Sequence, residues 1–147
     1  FRSVISTGDR DSLQLISDST RVLLAATKMG HPEIINYDKA ALFEKYGLTP
    51  SQMVELKALM GDKSDNIPGV KGVGEVTGIN LIKEYETLEN IYENIDNIKG
   101  SLQNKLISEK ENAFLSRELG TIKCDLEIDK EIKDLIRNNI EINLRGL

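Results

Sequence analysis

The sequence predicts a mixed α/β fold that is mainly helical, with a small strand-bearing edge followed by a helical body. Short, partly β-branched apolar runs dominate the segment before Asp38, and from Asp38 onward most apolar residues recur at helical spacing. At 147 residues the chain is about one domain long, which is enough to bury a single core. No internal repeat or obvious linker interrupts it.

Three short runs predict the strands of this edge. Ser3–Thr7, residues 21–26 and residues 33–37 are apolar and partly β-branched, and polar residues separate them. A brief helix is expected over residues 12–17, between the first two strands. His31-Pro32 is expected to end that section before the third strand begins.

Capping residues and helical spacing predict the body. Asp38 is a plausible N-cap for a helix that Gly47 ends. Thr49-Pro50 then opens a second helix, with proline in its first turn. Further helices are expected over residues 76–85, 88–95, 102–119 and 130–139, and a strand or extended segment over residues 121–128.

The charge distribution limits the kinds of partner. The formal net charge of −5 argues against a protein that coats DNA non-specifically, because phosphate binding relies on Lys and Arg. Residues 61–100 hold eight acidic and four basic side chains. The negative charge is therefore concentrated in one segment, where bound cations would offset it.

Composition also indicates the compartment. The single cysteine, Cys124, excludes a disulfide framework and favours a reducing compartment. No apolar run approaches the roughly 20 residues that span a bilayer, and no secretory leader is visible. We therefore expect a cytoplasmic protein without a membrane partner. Because the chain starts at Phe1 rather than at methionine, we also expect it to be a piece of a longer protein.

The run LMGDKSDNIPGVKGVG at 59–74 carries most of the functional information. Three known signatures fail on its spacing. A dinucleotide fingerprint would need its third glycine one residue before Gly78, a P-loop would need Lys-Ser/Thr after Gly74, and an EF-hand starting at Asp62 would need glycine where Ile67 stands. All three signatures are therefore excluded for this run.

The run fits a helix-hairpin-helix geometry. One helix is expected to end near Asp65, a Pro68-Gly69 turn follows, and a second helix begins near residue 75. Gly69, Gly72 and Gly74 leave their peptide N–H groups unshielded, so a DNA phosphate can approach the hairpin and the helix N-terminus without base preference. A tight helix-helix turn that needs glycine only for steric reasons remains an equal alternative.

Two aspartate pairs favour a metal site. Asp62 and Asp65 are three residues apart, which places both carboxylates on one side of a helical turn. Asp9 and Asp11 follow a predicted strand at a spacing of two. Converging carboxylates repel one another without a cation, and Mg²⁺ or Mn²⁺ prefers such oxygen ligands. Each pair alone is typical of a helix cap or a solvated turn, but the pairs together with the hairpin favour a metal.

These residues resemble a known family. TGDRD at 7–11 and GDKSDNIPGVKGVG at 61–74 are similar to motifs in the 5′ to 3′ exonuclease domain of bacterial DNA polymerase I, whose family includes stand-alone 5′ nucleases and flap endonucleases. The resemblance extends weakly to about residue 129. It implies a partial sheet edge of a PIN-like nuclease domain in residues 1–60, followed by a helix-hairpin-helix (helix-3-turn-helix) DNA-binding region and C-terminal helices in residues 61–147.

The resemblance also implies an activity and its site residues. The activity is hydrolysis of DNA phosphodiester bonds near a 5′ end or flap by a two-metal mechanism with Mg²⁺ or Mn²⁺. The implied metal ligands are Asp9, Asp11, Asp62 and Asp65, and backbone carbonyls around Val70 and Val73 would hold K⁺. The implied contacts to duplex or 5′-flapped DNA come from Gly69, Lys71, Gly72, Gly74, Thr77 and Lys83. A monomer, with a polymerase domain in the same parent chain, is expected.

Two departures from the family pattern leave a choice of function. The family's first Asp-Gly strand, its further acidic cluster and its basic arch helices would precede Phe1, so this chain is expected to bind divalent ions weakly and to be inactive alone. Val76 stands where many relatives have lysine, and Gly78 where they often have alanine. The alternative is a non-catalytic helix-hairpin-helix module that holds duplex DNA, and a third possibility is a protein-interaction domain without DNA affinity.

Overall fold

A computed structural model describes residues 2–28, 30–131 and 134 of the chain. Its sheet has three strands in the order β1-β2-β3, with β1 parallel to β2 and β2 antiparallel to β3. The strands are β1, Ser3–Thr7; β2, Thr20–Lys28; and β3, His31–Tyr37. A 3-10 helix at Arg10–Leu15 lies in the connection from β1 to β2. The small sheet that the sequence predicts is therefore present.

Six α-helices follow the sheet in the described part of the chain. They are α1, Lys39–Tyr46; α2, Pro50–Met60; α3, Glu75–Tyr85; α4, Leu88–Glu93; α5, Ser101–Ser108; and α6, Lys110–Gly120. The predicted caps act at α1, where an Asp38 carboxylate oxygen accepts the Ala41 N–H at 2.8 Å and Gly47 takes the left-handed conformation at φ 67. The mixed, mainly helical fold class is confirmed.

One hydrophobic core joins the sheet to the helices. Leu13 of the 3-10 helix and Val22 of β2 are fully buried in the same cluster as Leu59 of α2 and Ala113 of α6. Helix α2 lies at the centre of this arrangement, because it contacts the 3-10 helix, α3 and α6. The end of α2 is therefore fixed on several sides, and the motif at 61–74 begins there.

Several predicted boundaries are wrong. The helix before the motif ends at Met60, five residues before Asp65, because Gly61 adopts φ 70 and ends it. The helix expected over residues 102–119 is two helices, since Glu109 at φ −110 interrupts it. Pro32, expected to end the strand section, lies inside β3 opposite Thr27, where an edge strand tolerates a residue without an N–H.

The C-terminal predictions have mixed outcomes. Residues 122–128 are neither helical nor paired in a sheet, so the strand alternative for this segment is wrong. Residues 132, 133 and 135–139 of the predicted last helix lie outside the described residues. Within the described part, none of the helices combines the length and the hydrophobicity that crossing a bilayer requires.

Candidate metal centre and nucleic-acid interface

The segment after α2 is a tight backbone turn rather than a helix. Asp62 and Ile67 form an antiparallel bridge, with Asp62 N–H donating to the Ile67 carbonyl at 2.9 Å and Ile67 N–H donating back at 2.8 Å. Ser64 donates its hydroxyl at 2.6 Å and its N–H at 2.9 Å to one carboxylate oxygen of Asp62. The prediction that a helical turn places Asp62 and Asp65 on one side is therefore wrong, because no helix forms there.

Both carboxylates nevertheless point to a common place. The Nζ atom of Lys57, in the last turn of α2, lies 3.1 Å from Asp62 Oδ2 and 3.0 Å from Asp65 Oδ2. Asp11 of the 3-10 helix reaches the same nitrogen with both oxygens, at 2.7 and 2.6 Å. The three carboxylates come from two distant segments of the chain and surround one ammonium. We call Asp11, Asp62, Asp65 and Lys57 the carboxylate cluster.

Asp9 does not join this cluster. Its carboxylate accepts the Asp11 N–H at 2.9 Å and caps the 3-10 helix, which is the alternative that the sequence left open for each aspartate pair. Across residues 2–28, 30–131 and 134, no group of three or more His, Cys, Asp or Glu side chains has the geometry of a metal site. The oxygen donors of the cluster fit Mg²⁺ or Mn²⁺ by type, but they are arranged around Lys57.

The electrostatics of the cluster follow from these contacts. The hydrogen bond from the Ser64 hydroxyl, and then that from Lys57, lower the pKa of Asp62 to about 2. Burial opposes the charge on Lys57, whose side chain is 11% exposed, but the hydrogen bonds to Asp11, Asp65 and Asp62 outweigh burial and raise its pKa. Both groups are therefore charged over a wide pH range.

The cluster opens into a cleft. This cleft has a volume of about 480 Å³ and lies between the 3-10 helix, the end of α2 and the start of α3. Arg10, Tyr46 and Glu75 line it together with Asp11, Lys57 and Asp62. A cavity of this size is typical of a small-molecule or nucleotide-sized ligand.

The hairpin next to the cluster is fixed by backbone contacts. Gly69 adopts φ 62, and an added Cβ there would lie 2.7 Å from the Met60 carbonyl carbon and the Gly61 Cα. The Gly69 N–H donates to the hydroxyl of Ser116, a fully buried residue of α6, at 2.8 Å. The Gly69 N–H, one of the predicted phosphate donors, is therefore used inside the protein.

Other predicted DNA contacts are more accessible. Within the described part of the chain, the N–H groups of Gly72 and Gly74 have no protein acceptor. Lys71 is exposed, and Thr77 lies half-buried in the first turn of α3. Val76, also in this turn, is 75% exposed. These groups form one surface at the hairpin and the α3 N-terminus.

Two predicted features have other neighbours than expected. Lys83 lies in the last turn of α3, and its ammonium contacts Gly47 at the end of α1 rather than the hairpin. The Val70 carbonyl, expected to bind K⁺ with that of Val73, accepts the Val73 N–H at 3.0 Å. Gly78 packs against α2, since an added Cβ would lie 2.8 Å from Leu56 Cδ1 and this side chain would have to shift.

Sequence reasoning missed three residues at this site: Lys57, Lys105 and Ser116. Lys105 of α5 places its Nζ 3.5 Å from the Gly72 carbonyl oxygen. Lys57 had a weak local signal, because it is the basic residue in the last turn of α2. Ser116 and Lys105 had none, since their contacts join segments 47 and 33 residues apart.

Known sequences are similar to this chain. A family model described as 5′-3′ exonuclease, C-terminal SAM fold, matches residues 48–143. DNA polymerase I of Lactococcus lactis subsp. cremoris is 48% identical over 143 residues, 95% of this chain and 16% of that protein. DNA polymerase I of Caldicellulosiruptor bescii is 47% identical over 132 residues, 90% of this chain and also 16% of that protein. The chain thus spans only a small part of these relatives.

Solved structures share the fold. Bacteriophage T5 5′-exonuclease with bound divalent metal ions (zinc) has a TM-score of 0.65 at 26% identity, covering 81% of this chain and 42% of that chain. Bacteriophage T5 flap endonuclease, in a pseudo-enzyme-product complex with DNA and metal ions, has a TM-score of 0.65 at 25% identity, covering 80% of this chain and 42% of that chain. The chain belongs to the 5′-3′ exonuclease family, and the resemblance to the exonuclease domain of bacterial DNA polymerase I is confirmed.

Proposed function

We propose that this chain is the metal-site and hairpin portion of a 5′ to 3′ exonuclease or 5′-flap endonuclease domain that hydrolyses DNA phosphodiester bonds with divalent ions. The observation that carries the proposal is the convergence of Asp11, Asp62 and Asp65 on one point, within 2.6–3.1 Å of Lys57 Nζ. Carboxylates from separate segments rarely meet unless a cation or a reaction requires them. Their position beside a glycine hairpin supports nucleic-acid chemistry.

The carboxylates of Asp11, Asp62 and Asp65 would hold the divalent ion, with Asp9 as a further predicted ligand. When bound, Mg²⁺ or Mn²⁺ would activate water and stabilise the leaving oxygen of the cleaved phosphodiester. Ser64 orients Asp62 through two hydrogen bonds to one carboxylate oxygen, and the other oxygen contacts Lys57. The 3-10 helix positions Asp11, because Asp9 caps its first turn.

The hairpin would hold the duplex part of the substrate. The open N–H groups of Gly72 and Gly74, and the N-terminus of α3, favour an anionic phosphate. Lys71, Thr77 and Lys105 would add contacts from their side chains. Such contacts go to the DNA backbone, so binding would be independent of base sequence. K⁺ held by the carbonyls of Val70 and Val73, and a phosphate contact from Lys83, remain predictions.

The parent protein would be a cytoplasmic DNA polymerase I of replication and repair, in which a polymerase domain belongs to the same chain. Residues 1–60 would contribute the edge of the nuclease core with its linking helices, and residues 61–147 the DNA-binding region. Monomeric action on duplex or 5′-flapped DNA fits the hairpin, which contacts phosphates without needing a second copy.

A second function has its own support. Lys57 neutralises the three carboxylates without a metal, whereas within the described residues the N–H groups of Gly72 and Gly74 have no protein acceptor. The isolated chain would then be a non-catalytic module that binds duplex DNA. This agrees with the expectation from sequence that the chain is inactive alone.

A cleavage assay separates the two functions. The 147-residue chain is incubated with a labelled 5′-flap duplex and Mg²⁺, alongside D62A and the control D18A, which removes an exposed aspartate outside the cluster. Cleavage by the wild type and D18A but not by D62A would support the nuclease and contradict the expected inactivity of the chain alone. Salt-sensitive binding without cleavage supports the module, and the absence of both contradicts the two functions together.

A further inference from the structure

Lys57 is the least expected member of the carboxylate cluster. Its ammonium has three N–H donors, and it faces three carboxylates, those of Asp11, Asp62 and Asp65. Every donor therefore has an anionic partner. The Lys57 side chain is 11% exposed, against 24%, 32% and 51% for the three aspartates. The lysine lies on the protein side of the cluster, and the carboxylates lie on the solvent side.

The stem of Lys57 is held in place from behind. An added Cβ on Gly120, at the end of α6, would lie 3.2 Å from Lys57 Cδ and 3.5 Å from its Cγ. Helices α2 and α6 are in contact. Since the end of α6 lies beside the lysine stem, packing as well as charge restricts where the ammonium can lie.

The ammonium and a divalent ion would compete for the same oxygens. Mg²⁺ binds carboxylate oxygens at about 2.0–2.1 Å, whereas the oxygens here lie 2.6–3.1 Å from Nζ. An ion held by these oxygens cannot share the space with the ammonium, and the two positive charges repel at this distance. Conversely, without any cation the three carboxylates would repel one another.

We propose that Lys57 is a positioning residue that acts as the resident counter-cation of the metal site. Its ammonium holds Asp11, Asp62 and Asp65 together before a divalent ion arrives, and the ion must displace it to bind. Lys57 thereby lowers the divalent affinity of the site and keeps the ligands assembled at low metal concentration. This inference rests on the proposed function, since it assumes that the cluster binds a divalent ion.

The first test measures Mn²⁺ binding by calorimetry to the wild-type chain, K57M and K57R. K57M is expected to bind Mn²⁺ at least about tenfold more tightly, because the competing charge is gone. K57R keeps the positive charge and is expected to bind Mn²⁺ less tightly than K57M does. The matched control K39M removes a lysine from an exposed pair with Asp18 and should leave the affinity unchanged.

The second test follows the wild-type lysine itself. Limited acetylation, read by mass spectrometry, should modify Lys57 slowly in metal-free buffer and faster when Mg²⁺ displaces its ammonium. Lys39 serves as the internal reference, and its rate should not depend on Mg²⁺. This readout does not require a variant to fold.

The outcomes are distinct. Tighter binding by K57M, or a K57M chain that folds only when Mn²⁺ is present, supports the inference. Equal or weaker Mn²⁺ binding by folded K57M overturns the inference but leaves the proposed function intact. The same holds if the chain binds Mg²⁺ and the acetylation rate of Lys57 does not change when Mg²⁺ is added. If neither the wild type nor K57M binds Mn²⁺, the proposed metal site fails, and the inference fails with it.

Discussion

The carboxylate cluster and the hairpin are neighbours, but different forces hold them. In the cluster, Asp11, Asp62 and Asp65 meet through charge, around one lysine. In the hairpin, Gly69 allows the backbone to approach α2 closely, and Ser116 accepts its N–H in a buried position. The hairpin is therefore fixed by sterics before any ligand binds, whereas the geometry of the cluster depends on which cation lies between the carboxylates.

The largest predicted effect tests the steric half of this comparison. An added Cβ at Gly69 would lie 2.7 Å from backbone atoms of residues 60 and 61, whereas one at Gly100, which also has positive φ, meets nothing within 4 Å. G69A should therefore lose at least about 2 kcal/mol more unfolding free energy than G100A, as measured by urea denaturation. Equal losses would show that the hairpin has room to adjust.

The glycine pattern made the hairpin predictable from sequence. Gly69 and Gly72 both adopt positive φ, and a short local motif is sufficient to indicate this conformation. The carboxylate cluster was only half predictable. The spacing of Asp62 and Asp65 suggested convergence, but through a helical turn that does not form, since Gly61 ends α2 first.

The remaining site residues depend on tertiary contacts. Lys57 and Asp11 are 46 residues apart, so no helical or strand period relates them. Asp9 was grouped with Asp11 by spacing, yet it caps the 3-10 helix instead. The break at Glu109 also had no glycine or proline to mark it. Long-range packing, which a single sequence does not display, brings Lys57 to Asp11, whereas the Asp9 cap is a local contact that competes with the predicted metal role.

An intermediate effect tests the charged half. Asp62 has a pKa of about 2 in the folded chain, lowered mainly by the Ser64 hydroxyl and then by Lys57, against an ordinary value of 3.8. Because the folded pKa is the lower one, the carboxylate stabilises the fold above the ordinary value, and this contribution is lost as the pH falls towards 2.

The pH dependence of the unfolding free energy tests whether the charged form of Asp62 stabilises the fold. Allowing for solvent screening, the wild type should lose about 1 kcal/mol more unfolding free energy than D62N between about pH 5 and pH 2. Denaturant unfolding at several pH values measures the difference. Parallel curves for the two proteins would mean that the Ser64 and Lys57 contacts do not stabilise the charged form of Asp62.

The smallest effect concerns DNA contacts at the hairpin. Lys105 lies beside Gly72, whereas Lys83 contacts Gly47 at the far end of α3. K105M should weaken duplex binding by about threefold and reduce the salt slope by about one. K83M should change the duplex affinity and the salt slope less than K105M does. Fluorescence anisotropy at several salt concentrations measures both quantities, and a larger effect of K83M would favour the original assignment from sequence.

Mn²⁺ titration of D11N tests most directly whether the carboxylates around Lys57 form a divalent-metal site. The control is D18N, which makes the same change at an exposed aspartate that also pairs with a lysine. D11N should lose at least about tenfold in Mn²⁺ affinity, because one of few ligands is removed, and D18N should match the wild type. Equal affinity for all three proteins would contradict the proposed metal site.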